Sequence, residues 1–331
     1  MISTDIGIDL GTSNVLIYIR KKGIVLNEPS VVAIEKDTKK VIAVGTEANE
    51  MLGRTPGKVQ TIRPLKEGII ADLEATEIML NELIKKIKAR NLFTRPRILI
   101  CCPSNINPIE KETIKEVAER TGARKVYIEE EPKMAAIGAG MNIKLPIANM
   151  IIDIGGGTTD IAILSLDGIV TSNSIKIAGN IFNEDIIKYI KDKYKLLIGQ
   201  LTAENIKVSF ANVYNPDKEK KLEIKGRDLI TGLPHMIEIS QEETKEALQE
   251  SINKIVKATI NVLEIAPPEL SADIVEKGIV LTGGGSLLTG LLETLEENLN
   301  VPVLIAESPL TCVAEGTGIL LEELNNLEED Q

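Results

Sequence analysis

Two stretches of this chain set an aspartate at the end of an apolar strand and follow it with a turn of glycines and hydroxyls. They are Asp9-Leu10-Gly11-Thr12-Ser13-Asn14 and Asp153-Ile154-Gly155-Gly156-Gly157-Thr158-Thr159-Asp160. Glycine lets the backbone approach a ligand closely, successive N–H groups in such turns form an anion-binding nest, and hydroxyls add donors. Facing each other across a cleft, two such loops would clamp a polyphosphate. Asp9 and Asp153 are the oxygen ligands that hydrated Mg2+ takes, directly or through water. A single loop of this kind also serves as a plain strand connection, but its recurrence at the matching point of the second half argues against that reading.

A third glycine cluster, Thr282-Gly283-Gly284-Gly285-Ser286, follows the apolar Ile279-Val280-Leu281 and precedes a predicted helix. Backbone N–H groups at a helix N-terminus suit phosphate or nucleoside contact, with a purely structural turn as the alternative. No Gly-Lys-Ser/Thr is present, and the GGGTTD loop leads into a strand where a dinucleotide fingerprint needs a helix, so Walker-type and Rossmann-type sites are disfavoured.

The elements that must position these loops repeat. Alternating Ile6, Ile8 and Leu10, then VLIYI, then IVLNEPSVVAI predict a three-stranded meander; a helix over 72–89, the buried strand RPRILICCP and a helix over 108–121 follow. From Met150 the pattern starts over with strand, glycine turn, strand, Asp-Gly turn and strand. Helices are predicted near 180–195, 202–211 and 241–265, then strand, glycine turn and helix, a short strand VPVLIA and a closing helix over 309–324. A repeat spacing of about 145 residues is far beyond solenoid periods and signals a duplicated domain. Residues 213–232 are charged and turn-rich and read as a solvated hairpin in a small subdomain.

At 331 residues the chain has room for two lobes, and 43% apolar with 26% charged residues is ordinary globular usage. Lys plus Arg total 38 against 49 Asp plus Glu, a net charge of -11, which argues against nucleic acid as a partner. Cys101, Cys102 and Cys312 lack metal or redox spacing and read as reduced core residues of a cytoplasmic protein. No basic-then-apolar leader and no long apolar run appear, so secretion and membrane spanning are not expected. His235 has no partner in sequence and reads as packed or surface imidazole.

These motifs together resemble the actin, Hsp70 and sugar-kinase ATPase superfamily, and within it the bacterial actins of the MreB type. The resemblance runs through nearly the whole chain: IGIDLGTSN, GIVLNEPSVVAI, VQTIRPLKEGIIADLEATE, IEEEP with AAIGAG, IIDIGGGTTDIAILS, IKIAGN, LLIG with TAENIK, ITGLP and LTGGGSLLTGL occur in order. The Ile- and Lys-rich, tryptophan-free composition is similar to paralogues from wall-less bacteria. The implied fold is an α/β actin-like ATPase fold, two RNase H-like lobes around a nucleotide cleft. The implied division is residues 1–145 plus 305–331 as lobe I, with a small subdomain near 29–66, and 146–304 as lobe II, with a small subdomain near 178–244.

The resemblance also implies roles. Gly11, Thr12, Ser13 and Asn14 with Gly155, Gly156 and Gly157 would hold the phosphates of ATP or ADP, and Gly283, Gly284 and Gly285 the nucleoside. Glu204 and Lys207 correspond to the family's adenosine-contacting pair; from spacing alone an exposed ion pair remains the alternative. Glu131 would position the attacking water, Thr158 and Thr159 would offer hydroxyls on its other side, and Asp9 and Asp153 would serve Mg2+. Three departures stand out: Asp160 where Glu is usual, Lys133 and Met134 where Met and Ala follow EEP, and Asn180 where AGD is usual. Lys133 either draws the Glu131 carboxylate from the water or points to solvent without effect.

The implied partners are further copies in a homopolymeric filament, other MreB-type subunits and cell-shape proteins, at the inner face of the cell membrane. Leu92 and Phe93, between Arg90 and Arg95, are similar in position to the family's membrane-insertion loop, against the alternative of a loop tucked onto its own core. Neither end is expected to supply a lipid anchor. Two readings from other classes are a monomeric sugar-kinase-like phosphotransferase and an Hsp70-like chaperone ATPase.

Overall fold

The computed structural model describes residues 5–87 and 95–329, with side chains through 324. The chain begins with the expected meander: β1 (Ile6–Leu10), β2 (Asn14–Ile19) and β3 (Gly23–Pro29) pair antiparallel in sequence order. The single third strand expected over IVLNEPSVVAI is in fact two. Pro29 has no N–H to continue the ladder, and Ser30 turns the chain back by donating its N–H to Ser13 O (2.8 Å) and its hydroxyl to Gly11 O (2.6 Å). Val32–Glu35 (β4) therefore starts a separate small sheet with β5 (Val41–Val44), which leads through α1 (Thr46–Glu50) to β6 (Val59–Ile62) on the other side of β4.

A two-stranded ribbon follows, β7 (Leu65–Lys66) and β8 (Ile69–Ile70), before α2 (Leu73–Lys86), whose first turn is capped by the Asp72 carboxylate accepting from Ala75 N at 2.9 Å. Next come β9 (Arg97–Cys102), α3 (Pro108–Arg120) behind an Asn107/Glu110 capping box, β10 (Lys125–Glu130) and α4 (Glu131–Gly138). The first sheet has the order β10-β9-β1-β2-β3, with β9 and β10 parallel to β1. A buried bidentate pair, Arg97 Nε to Asp5 Oδ1 (3.0 Å) and Nη2 to Oδ2 (2.7 Å), ties the starts of β1 and β9 together.

The second half reproduces this plan. β11 (Asn149–Ile154), β12 (Thr159–Ser165) and β13 (Gly168–Ile175) form the meander, followed by α5 (Gly179–Tyr194), β14 (Leu196–Leu197), α6 (Gln200–Ser209), β15 (Lys221–Asp228), β16 (Pro234–Ser240), α7 (Gln241–Ile265) and α8 (Pro268–Lys277). Then β17 (Ile279–Thr282), a 3-10 turn over Gly284–Leu287, α9 (Leu291–Leu299), β18 (Val303–Ile305) and α10 (Cys312–Glu329) complete the chain. The second sheet runs β13-β12-β11-β17-β18, the same arrangement of three antiparallel and two added parallel strands as the first. The duplication expected from the sequence is thus present strand for strand.

The solvated hairpin lies later than expected, at 221–240, because the charged stretch before it is a loop. β10, α4 and α8 were not anticipated. Helices α4 and α10 lie against each other and against both sheets: Met134, Ala135, Cys312 and Val313 share one apolar cluster with Leu99 of β9 and Ile151 and Ala162 of the second sheet. The cysteines are buried free thiols, as expected. Among the described residues no helix is long and apolar enough to cross a membrane. Leu92 and Phe93 lie outside the described residues.

Candidate functional site

The β1–β2 and β11–β12 hairpins face one another and wall a cavity of about 470 Å³. Every residue expected at the phosphates lines it: Gly11, Thr12, Ser13 and Asn14 from one side, Gly155, Gly156, Gly157 and Thr158 from the other. Each loop is braced from behind. Ser30 holds the first, as above, and Gly68, in the turn between β7 and β8, donates its N–H to Thr12 Oγ1 at 3.0 Å. The second is tied to the first turn of α5, where Gly179 and Asn180 donate to Gly155 O (3.1 Å) and Gly156 O (2.8 Å). Asn180, in place of the usual Asp, makes this contact through its backbone.

Asp9 and Asp153 stand at the floor of the cavity, one from each central strand. Burial, and for Asp9 also the charge of Asp153, pushes the Asp9 carboxyl up to about 7. Asp153 is likewise pushed up to about 7 by burial and by Asp160, although Thr282 Oγ1 donates to its Oδ1 at 2.9 Å. Two carboxylates lining one cavity, Asp153 buried and Asp9 partly so, with no basic side chain bonded to either among the described residues, are suited to a divalent cation. Mg2+ keeps much of its water and takes one or two carboxylates together with substrate phosphates, a demand that Asp9 and Asp153 could meet.

Glu131 begins α4, between the sheets, and is 9% exposed at the cavity wall. Its carboxyl is raised well above the usual range by burial first, then by Asp160, Asp9 and Asp153. Lys133 does not draw it away: its Nζ lies 3.9 Å from Asp167 Oδ1 in the β12–β13 turn. Asp160 is fully buried and crosses between the halves of the molecule, accepting from Ser104 N and Ser104 Oγ, both at 3.2 Å.

Thr159 corrects the sequence reading. Its side chain has no exposure, its hydroxyl donates to Ile177 O at 2.6 Å, and it does not line the cavity, whereas Thr158, in the turn just before β12, does. The structure brings together the other expected residues. Glu204 and Lys207 lie on one face of α6, 2.8 Å apart, and both line the cavity. Gly283, Gly284 and Gly285 line its far end, Gly284 and Gly285 opening a 3-10 turn that leads to the expected helix α9, and Leu287, Leu288, Val208 and Leu310 supply an apolar wall. Ser30 and Gly68 were missed; a buried hydroxyl after Pro and a turn glycine carry no pattern that marks them.

Residues 3–329 match the family model described as MreB/Mbl protein. The chain is 56% identical to the cell shape-determining protein Mbl of Bacillus subtilis, covering 99% of this chain and 98% of that one. It is 48% identical to the cell shape-determining protein MreB of Escherichia coli, covering 98% and 95%. Among solved structures it is similar to MreB5 of Spiroplasma citri bound to AMPPNP, with TM-score 0.95, 42% identity and coverage of 100% and 99%. It also shares the fold of a MamK double helical filament subunit, at TM-score 0.83, 24% identity and coverage of 96% and 98%. Twin five-stranded sheets, hairpins converging on one cavity and identity over nearly the full length agree, and the chain belongs to the MreB/Mbl family.

Proposed function

We propose that this protein is an actin-like cytoskeletal ATPase that binds Mg-ATP in the cleft between its two halves and polymerises into filaments that support cell shape or movement. The observation that carries the reading is the convergence of the two glycine hairpins on one cavity that also holds Glu131. The similar protein from Spiroplasma citri, described as bound to AMPPNP and, in a second structure, to ADP, supports nucleotide as the ligand.

In this reading lobe I is residues 1–145 plus 305–331 and lobe II is 146–304. Backbone N–H groups and hydroxyls of Gly11–Asn14 and Gly155–Thr158 hold the phosphates, and Gly283–Gly285 with the apolar wall take the nucleoside. Asp9 and Asp153 would hold Mg2+, which offsets phosphate charge when bound. Glu131, at the rim of the phosphate site, orients the attacking water and accepts its proton, with the Thr158 hydroxyl opposite. Hydrolysis to ADP and phosphate then favours the open arrangement of the lobes and loosens subunit contacts, a shift set by the difference in affinity of the two states for each nucleotide. Filaments at the inner face of the membrane would join many weak lipid contacts, with Leu92 and Phe93 as the candidate contact.

High-speed pelleting with ATP, ADP and a non-hydrolysable analogue, with phosphate release followed in parallel, tests the proposal. ATP-dependent pelleting with phosphate release supports it. A soluble monomer that phosphorylates a sugar would replace it with the kinase reading.

A further inference from the structure

Glu204 is held through one of its two oxygens. Asn183, on the buried face of α5 and 4% exposed, donates from Nδ2 to Glu204 Oε2 at 2.6 Å. Lys207 Nζ reaches the same oxygen at 2.8 Å and also Gly179 O at 3.0 Å. The orientation of the Asn183 amide is dictated by chemistry, because exchanging its N and O would set a carbonyl oxygen against a carboxylate oxygen. In that orientation Asn183 Oδ1 is buried without a hydrogen-bond partner among the described residues. A buried, half-satisfied amide weakens a fold, so nothing in packing explains an asparagine at this site better than leucine would.

The side chain of Glu204 is 45% exposed and lines the cavity, whereas Lys207 is 12% exposed. Two well-covered donors therefore grip one carboxylate oxygen from behind. The Lys207 contact with Gly179, itself bonded to Gly155 O, sets the pair directly beside the second glycine loop. The remaining wall, Val208, Leu287, Leu288 and Leu310, is apolar and suits the flat face of a base. With phosphates in the glycine loops, the group next along a nucleotide is the sugar, whose hydroxyls are donors, and a carboxylate oxygen is a pure acceptor.

We propose that Asn183 is a positioning residue for sugar recognition: by pinning Oε2 of Glu204 it presents Oε1 to the ribose hydroxyls and makes the chain selective for ribonucleotides over deoxyribonucleotides. This rests on the reading of the cleft as a nucleotide site. A site built to bind a hydroxyl rejects the analogue that lacks it, because its own acceptor is then left unpaired.

The test is titration calorimetry of the full chain with Mg2+ and ADP, 2′-deoxy-ADP or 3′-deoxy-ADP, below the concentration at which it pellets. The wild type binds ADP more tightly than at least one deoxy analogue by roughly tenfold, the size of one hydrogen bond to a charged group. Asn183→Ala removes that preference by weakening ADP alone. Asn183→Leu, which keeps the volume and discards the unpaired oxygen, does the same if the alanine variant fails to fold. In a Glu204→Ala background, Asn183→Ala changes the preference no further. Equal weakening of all three ligands, or a wild type indifferent to the missing hydroxyl, overturns the proposal and leaves the nucleotide site standing. A wild type that binds none of them overturns the nucleotide reading as well.

Discussion

Gly156 and Ser13 meet across the cleft so closely that a Cβ built on Gly156 would fall 1.9 Å from Ser13 Oγ and 3.2 Å from Ser13 N. The two glycine hairpins are therefore in contact, and the residue that permits it is the middle glycine of the second one. Gly156→Ala must force the hairpins apart, since real Cβ atoms do not approach other atoms so nearly. We expect nucleotide affinity to fall by roughly tenfold or more, the scale of one or two lost charge-assisted contacts, with the melting temperature of the ligand-free protein little changed. Adding Ser13→Gly should recover part of the loss. Calorimetric titration of both variants checks this.

Glu131 lies at the cavity wall among carboxylates, with no lysine or arginine bonded to it among the described contacts, which suits a group that handles water rather than one that grips phosphate. Glu131→Gln should leave nucleotide binding intact and lower phosphate release by roughly a hundredfold or more, the usual contribution of a positioned general base. Loss of binding with an unchanged rate per bound site would contradict the assignment.

The carboxyls of Asp9 and Asp153, at about 7, stand above the roughly 3.9 of an unfolded aspartate. Between those values the folded chain binds more protons than the unfolded one, so this pair contributes stability at low pH that is lost as pH rises through about 7. Carboxylates lowered by partners, such as Glu28 and Glu243, are already ionised in both states there. The melting temperature of the ligand-free protein should therefore fall from about pH 6 to about pH 8, and Mg2+ with ADP should flatten or reverse the slope. Thermal melts across that range, with and without Mg-ADP, provide the check. A ligand-free melting temperature that rises with pH would contradict the account.

Gly316 and Gly138 let α10 lie directly on α4: a Cβ on Gly316 would sit 2.0 Å from Met134 O, and one on Gly138 would sit 1.9 Å from Cys312 O. Both obstacles are backbone atoms that cannot rotate aside. Gly316→Ala should cost about 3 kcal/mol in urea unfolding, at the upper end of overpacking penalties. Gly57→Ala, where nothing lies within 4 Å, serves as the control and should be neutral or slightly stabilising.

The parts of the molecule that read plainly from the sequence are those where one residue type has one physical use. Aspartate at a strand end followed by glycines marked both hairpins, and the repeat of that pattern gave the duplicated three-stranded meanders, though not β10 at the edge of the first sheet. The small sheet of β4, β5 and β6 was hidden because its strands are four residues long and the break at Pro29-Ser30 lies inside one apolar run. Thr158 and Thr159 look alike in sequence, and only the path of the chain from the turn into β12 tells which of them lines the cavity. Asn183 was invisible for another reason: its role depends on Glu204, twenty-one residues away and brought beside it by the packing of α6 on α5.

The central claim is that both hairpins hold the same phosphates. A crystal structure with AMPPNP and Mg2+ tests it most directly, and the account predicts the phosphate chain lying between Gly11–Asn14 and Gly155–Thr158 with the metal beside Asp9 and Asp153. Nucleotide bound elsewhere on the chain, or engaged by one hairpin alone, would contradict it.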